Sequence, residues 1–235
     1  MGMLRSAASR PGGGPNFSIP FLYPNYERGE TGMKRCYAAA MIVVLALAGA
    51  ASAKAQDVSP ADKDRALQYL ESTKKGVLEA TKGLSDAQWN FKPSPFRWSV
   101  AQVMEHIAAS EDFLREIVEG QVLKAPAPPD RDIKQLDEKV LSTIPDRAIK
   151  ASAPAPLRPT NRYGSPDAAL KHFLESRAKT VELLKTRDDL RAHAVDTALG
   201  GKLDAYEWIL VIAAHSERHT KQLNEVKADP KFPKQ

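Results

Sequence analysis

The sequence predicts an all-α fold, a four-helix bundle with a long proline-rich connection between its second and third helices. Three observations carry that prediction: four segments each hold one apolar stripe at steps of three or four residues, two of them open on the same Ser-Pro start, and no convincing run of alternating β-branched residues is present. The first helix starts at Ser59-Pro60-Ala61-Asp62, where Ser caps and Pro fits the first turn. Leu67, Leu70, Val77 and Leu78 recur at helical spacing toward Gly83. The segment from Phe91 to Phe96, with Pro93 and Pro95, ends it.

Ser99 caps the second helix, whose stripe runs Val103, His106, Ile107, Ser110, Phe113 or Leu114, and Ile117, ending near Leu123. From Ala125 to Tyr163 the chain is rich in proline, with room for a short helix from Ile133 to Leu141. That connection exceeds the usual length between helices and is the candidate crossover or lid. Ser165-Pro166-Asp167 starts the third helix, which buries Leu170, Phe173, Leu174, Val181 and Leu184. Gly200-Gly201 makes a turn, and a fourth amphipathic helix runs from Leu203 to Val226 before Pro230 stops it.

The bundle is preceded by an export signal. Met33-Lys34-Arg35 supplies positive charge, Tyr37 to Ala50 is almost unbroken apolar sequence, and small residues follow from Ala51 to Ala55 with A-x-A sites. An uncleaved anchor is the alternative, but the run is short beside the ~20 apolar residues a span needs. Residues 1–32 are rich in Gly, Pro and Ser without apolar periodicity, as expected if Met33 is the real initiator and the upstream start is misassigned or a disordered leader. The expected organisation is therefore a leader over residues 1–32, a signal over 33–55 and one bundle domain over 56–235.

Removing the first 55 residues takes away six of the 34 basic and two of the 29 acidic residues, leaving 28 against 27, a net charge of +1. A nucleic-acid partner is not expected, because phosphate contacts call for a clustered basic face. The only cysteine, Cys36, lies in the signal, so the exported chain has no thiol for a disulfide, a nucleophile or a metal. Any metal must be held by histidine and carboxylate.

On the fourth helix the inward series is Trp208, Ile212, His215, His219, Leu223 and Val226, so two imidazoles replace aliphatic residues on the core face. One turn apart, both rings can reach one ion from the same side. His106 holds the same kind of place on the second helix. A core histidine can equally be hydrogen-bonded to a carbonyl or carboxylate, and three could form a polar network. Desolvating them without a common partner is costly, however. His172, beside Phe173, and His193, in the loop before the fourth helix, carry no such pattern and are read as surface residues. Trp89, Trp98 and Trp208 are read as core.

Arg97-Trp98-Ser99 through Glu105-His106-Ile107, together with Ala214-His215-Ser216-Glu217-Arg218-His219 and its continuation to Leu223, resembles the DinB-like superfamily, over about Asp62 to Val226. The resemblance implies a four-helix bundle with a long connection between its second and third helices. It also implies a divalent metal, often zinc or nickel, on three histidines, and His106, His215 and His219 each match a ligand position. Relatives include thiol-dependent transferases and isomerases as well as members without an assigned activity, and fold alone does not choose among them.

Three neutral imidazoles leave at least one coordination position open, as catalytic sites do. Low-molecular-weight thiols are cytosolic reagents, so export ranks metal-dependent hydrolysis of an unknown substrate above thiol transfer. Glu105, Glu111 and Glu217 are candidates for acid or base, each with the alternative of a solvent-facing helix carboxylate. Arg177 could meet a substrate anion or make a structural ion pair. The other class of function is a noncatalytic metal or small-ligand binding protein of the cell envelope. The expected partner is a small molecule, with no stable membrane span after cleavage and a homodimer left open. The A-x-A sites place the first residue of the exported protein, periplasmic or secreted, at Gln56 or Lys54, and mass spectrometry of protein from its native host checks this. A species retaining Met33 contradicts it.

Overall fold

The computed structural model describes residues 57–234. The leader, the signal and its cleavage sites lie outside the described residues. Among the described residues there are four long helices: α1 (Pro60–Thr81), α3 (Val100–Gly120), α5 (Pro166–Thr186) and α6 (Ala205–Lys227). Between them lie two short helices, α2 (Asp86–Asn90) and α4 (Ile133–Thr143), and a hairpin of β1 (Ala194–Thr197) and β2 (Gly201–Asp204).

The helix starts obey local chemistry. Ser59, Ser99 and Ser165 accept backbone N–H groups of Asp62, Gln102 and Ala168 through their hydroxyls, and Ser99 with Gln102 closes a capping box. The same box, Ser85 with Gln88, starts the unforeseen α2.

The expected start of the last helix at Leu203 is corrected by two residues. Leu203 and Asp204 pair with Val195 and Ala194 in the antiparallel hairpin, and only then does Asp204 cap α6. The hairpin loop takes its left-handed residue from Gly200, at φ 79°. A side chain there would be strained, which is why glycine suits this three-residue connection.

The long helices pack in a ring: α1 against α6 and α5, and α3 against α5 and α6. Consecutive long helices α1 and α3 thus stand at opposite corners, while α4 lies on the outside of α6. Leu70, Val77, Val103, Ile107, Phe173, Leu184, Trp208 and Ile212 of the expected stripes are all fully buried or nearly so. Each such side chain contributes ~1.5–3 kcal/mol of burial. Leu67, Leu170, Leu174 and Val181 are only half-buried and pack at the edges of the core.

At the start of α6 a buried charge cluster joins the hairpin to α4. Arg191 donates to Asp137 at 2.9 and 3.0 Å and to Asp204 at 3.2 Å, and Arg131 donates to Asp204 and, at 2.6 Å, to Glu207. Burial, and then the neighbouring Asp204 charge, push the Glu207 carboxyl up to about 8.

At the bundle centre Arg177, 1% exposed, reaches Glu111, 2% exposed, through two bonds of 2.6 and 2.9 Å. Arg177 also donates to the Leu70 carbonyl at 2.6 Å, Thr73 at 3.0 Å and Ser216 at 2.9 Å. This settles Arg177 as a structural ion pair, and it corrects Glu111, which is neither a solvent-facing carboxylate nor free for proton transfer. Removing one partner of such a pair leaves an uncompensated buried charge. Arg177→Met is expected to cost about 3–5 kcal/mol in chemical denaturation, with Arg177→Met/Glu111→Leu recovering part of the loss. An unchanged midpoint for the single variant contradicts this role.

Candidate metal centre

His106 on α3 and His215 and His219 on α6 meet where the two helices pack. One ring nitrogen from each lies within 4.8 Å of the others. Ring centroids are 5.1 Å apart for His106 and His215, and 4.4 Å apart for each of the other two pairs. His106 and His219 are almost wholly buried, while His215 keeps part of its surface toward a cavity.

Two outer hydrogen bonds fix the tautomers. Nδ1–H of His106 donates to the Leu157 carbonyl at 2.8 Å, and Nδ1–H of His219 donates to Gln222 Oε1 at 2.8 Å. With both protons on Nδ1, the two Nε2 atoms point lone pair to lone pair across 3.2 Å. Two acceptors so placed repel unless a cation lies between them. Nitrogens ~2.0–2.1 Å from one tetrahedral ion stand roughly 3.3 Å apart, so the pair fits such an ion. Donors locked from behind by a carbonyl and an amide oxygen are the usual outer support of a metal site.

Burial pushes His106 down to about 4, against the opposing pull of its bond to Leu157. His215 and His219 fall well below the ordinary histidine value, first through burial and then through the neighbouring imidazoles. All three are therefore neutral near pH 7, the state in which imidazole binds a metal.

The connection between α3 and α5 forms a roof beside this cluster. Glu105 accepts the backbone N–H groups of Thr160, Asn161 and Arg162 at 2.7, 2.9 and 3.2 Å, and the Arg162 guanidinium at 3.2 Å. Burial alone would raise its carboxyl, but these donors together hold it below the ordinary value. Arg218 clamps the roof from the other side, donating to the carbonyls of Ile144, Asp146 and Ile149. Arg147 pairs with Glu225 on α6 through bonds of 3.0 and 2.9 Å.

Under the roof lies a cavity of about 650 Å³, lined by all three histidines and by Trp98, Gln222 and Arg218 among others. None of the proposed acid or base carboxylates reaches it. Glu105 is bound to the roof backbone, Glu111 belongs to the Arg177 pair, and Glu217 accepts Tyr69 Oη at 2.6 Å and Lys221 Nζ at 2.7 Å. The solvent-facing alternative is overturned for Glu105 and Glu111, both buried because each carboxylate is filled by donors.

Trp89 and Trp208 are core, whereas Trp98 is half-buried with its ring 5.0 Å from that of His106. His172 and His193 stay out of the cluster, as expected, but both are half-buried and bonded: His172 to Asp112 at 2.5 Å and His193 to the Ala125 carbonyl at 2.5 Å. Sequence reasoning missed Gln222, although its place one turn after His219 on the same helix is a usable signal. It had no means of finding the Leu157 carbonyl.

A family model described as the DinB superfamily matches residues 69–223. The uncharacterized protein YuaE of Bacillus subtilis (strain 168) is 31% identical over 150 residues, covering 62% of this chain and 87% of YuaE. Among solved structures, YfiT from Bacillus subtilis, described as a probable metal-dependent hydrolase with an unusual four-helix bundle topology, aligns at a TM-score of 0.45 and 19% identity. That alignment covers 72% of this chain and 88% of YfiT.

The purified protein is expected to hold one divalent ion per chain and to lose it in His106→Ala, His215→Ala and His219→Ala. Gln222→Leu should weaken affinity by about 10–100-fold without abolishing it. Elemental analysis and competitive chelator titration measure both, and unchanged metal content in the three alanine variants would show a hydrogen-bonded network instead. Acid should have a matching effect on the metal-free fold. The imidazoles are neutral when folded and titrate near ~6.5 when unfolded, so their contribution is intact above that value. It declines as pH falls toward the folded value of about 4 for His106.

Proposed function

The chain belongs to the DinB superfamily, and from that membership and the site geometry we propose that it is an exported metal-dependent hydrolase acting on a small molecule. The observation that carries this reading is the pair of tautomer-locked imidazoles facing each other across 3.2 Å at an open cavity, with His215 as the third donor. A set of three nitrogen donors suits zinc or nickel. Bound there, the ion supplies Lewis acidity, polarising a carbonyl or phosphoryl oxygen and acidifying water.

The chain's own residues do the rest. Leu157 and Gln222 hold the His106 and His219 rings in the binding tautomer. Trp98, against His106, covers one side of the cluster and keeps bulk water from that ring. Arg218 and Glu105 keep the roof over the cavity. The basic start, apolar run and A-x-A sites in the sequence of residues 33–55 support a periplasmic or secreted location, where a hydrolase needs only water as co-substrate.

A second reading is favoured by one specific observation: among the described residues, none lining the cavity is a carboxylate that could serve as general base. That lining suits a noncatalytic binder of a metal or small ligand. Turnover decides between them. Zinc- or nickel-loaded protein is expected to hydrolyse members of an ester, amide and phosphoester panel, with His215→Ala inactive but still folded. Chelation should lower the melting temperature while helical circular dichroism persists, because the apolar core does not depend on the ion. At a thousandfold excess over Kd the ion is worth about 4 kcal/mol. No turnover by fully loaded protein across the panel favours the binder, and collapse of the helices on chelation removes the case for an open catalytic site.

A further inference from the structure

Five basic side chains, Arg97, Arg147, Lys150, Arg158 and Arg218, face the cavity beside the three histidines, and no Asp or Glu lines it among the described residues. Two carboxylates act on these cations from outside the lining: Asp146, beside Arg218, and Glu225, which is shared by Arg147, at 2.9 Å, and Arg97, at 3.6 Å, with Lys150 nearby. Arg218 is buried and spends its donors on backbone carbonyls, so that no carboxylate bonds to it directly, although Asp146 and Glu225 act on its charge from nearby. Lys150 and Arg158 likewise bond only to carbonyls, those of Arg147 at 2.9 Å and Ala153 at 3.2 Å, and stand exposed on the roof. Cations gathered around a concave surface focus a positive potential into it and draw in anions.

This concentration of charge is local. The net charge of the chain after residue 55 is only +1, so the potential belongs to the cavity and not to the protein as a whole. Beside the cations the cavity also offers apolar surface from Trp98, Ile149 and Phe96. Phe96 is 97% exposed, the only exposed large hydrophobic side chain among the described residues. A large apolar side chain left in water at a cavity mouth is the kind of surface that a ligand covers.

We propose that the cavity takes a small organic anion, a carboxylate or phosphate carrying an apolar group, with Lys150 and Arg158 gripping the charged end and Phe96 covering the apolar end. This names the substrate class of the hydrolase read above and rests on that reading for its chemistry, but not for its binding. Guanidinium and ammonium donors on the roof would orient such an anion with its remaining bonds toward the histidines.

The test uses a matched pair of probes, 4-phenylbutyrate and the neutral 4-phenylbutanamide, titrated by calorimetry into zinc-free and zinc-loaded protein. The acid is expected to bind about tenfold more tightly than the amide, a difference of about 1.4 kcal/mol, in both forms. Raising salt from roughly 50 to 500 mM should erode that preference by screening. Lys150→Gln/Arg158→Gln, two exposed positions whose loss leaves the core untouched, should abolish most of it, and Phe96→Ala should weaken acid and amide alike. Equal binding of the two probes to zinc-free protein overturns the proposal, as do an undetectable acid or a preference that survives in the double variant. A retained preference without hydrolysis of any loaded substrate sinks the hydrolase reading alone.

Discussion

The ion pair of Arg177 with Glu111 touches every long helix of the bundle. Arg177 comes from α5 and Glu111 from α3; the guanidinium also bonds to Leu70 and Thr73 of α1 and Ser216 of α6, and Thr180 adds a bond to Glu111 at 3.1 Å. Apolar burial is non-directional and tolerates sliding between helices. A charge pair in a dry interior does not, because any shift leaves donors and acceptors unmatched. Its register fixes Ser216, and Ser216 stands between His215 and the turn that carries His219. The spacing of the two α6 histidines from His106 is thereby set from the middle of the bundle.

Around that centre α6 is enclosed from all sides. Every residue from Ala205 to Ala214 is buried, and a helix buried all round needs neighbours all round. Helices α1 and α3 cover two faces, α4 covers another, and β2 closes the start. The short helix and the hairpin are thus part of the core. One turn further on, the enclosure opens into the cavity, and the histidines occupy that transition, where a polar side chain can be mostly dry yet reachable by a small molecule.

Most of this architecture could be read from the chain because its helices carry strong periodic stripes and well-formed starts. Ser59-Pro60, Ser99 and Ser165-Pro166 marked three helix starts, and the Val103 to Ile117 and Trp208 to Val226 stripes marked the two faces that bring the histidines together. The hairpin was illegible for a physical reason: strands of four residues, Ala-Val-Asp-Thr and Gly-Lys-Leu-Asp, are too short for a period of two to stand out. Glu105 and Glu111 were misjudged because their partners, a roof backbone more than fifty residues away and an arginine on another helix, leave no local trace. The three ligand candidates were legible because a polar residue on an apolar stripe is conspicuous. The carbonyl and three of the five cations around them, Arg147, Lys150 and Arg158, come from the proline-rich connection, which has no periodicity to read.

The bond from His106 to the Leu157 carbonyl has a thermodynamic consequence. Leu157 belongs to the short 3₁₀ turn Ala155–Leu157 within the roof, so one ring of the histidine cluster is oriented by the segment that covers the cavity. Occupancy of the nitrogens and order of the roof then share one free energy. Were an ion bound there, whatever holds the roof down would tighten the grip on it by the same factor by which the ion would steady the roof. Such reciprocity would let the proline-rich stretch set affinity at a distance, through a single carbonyl oxygen.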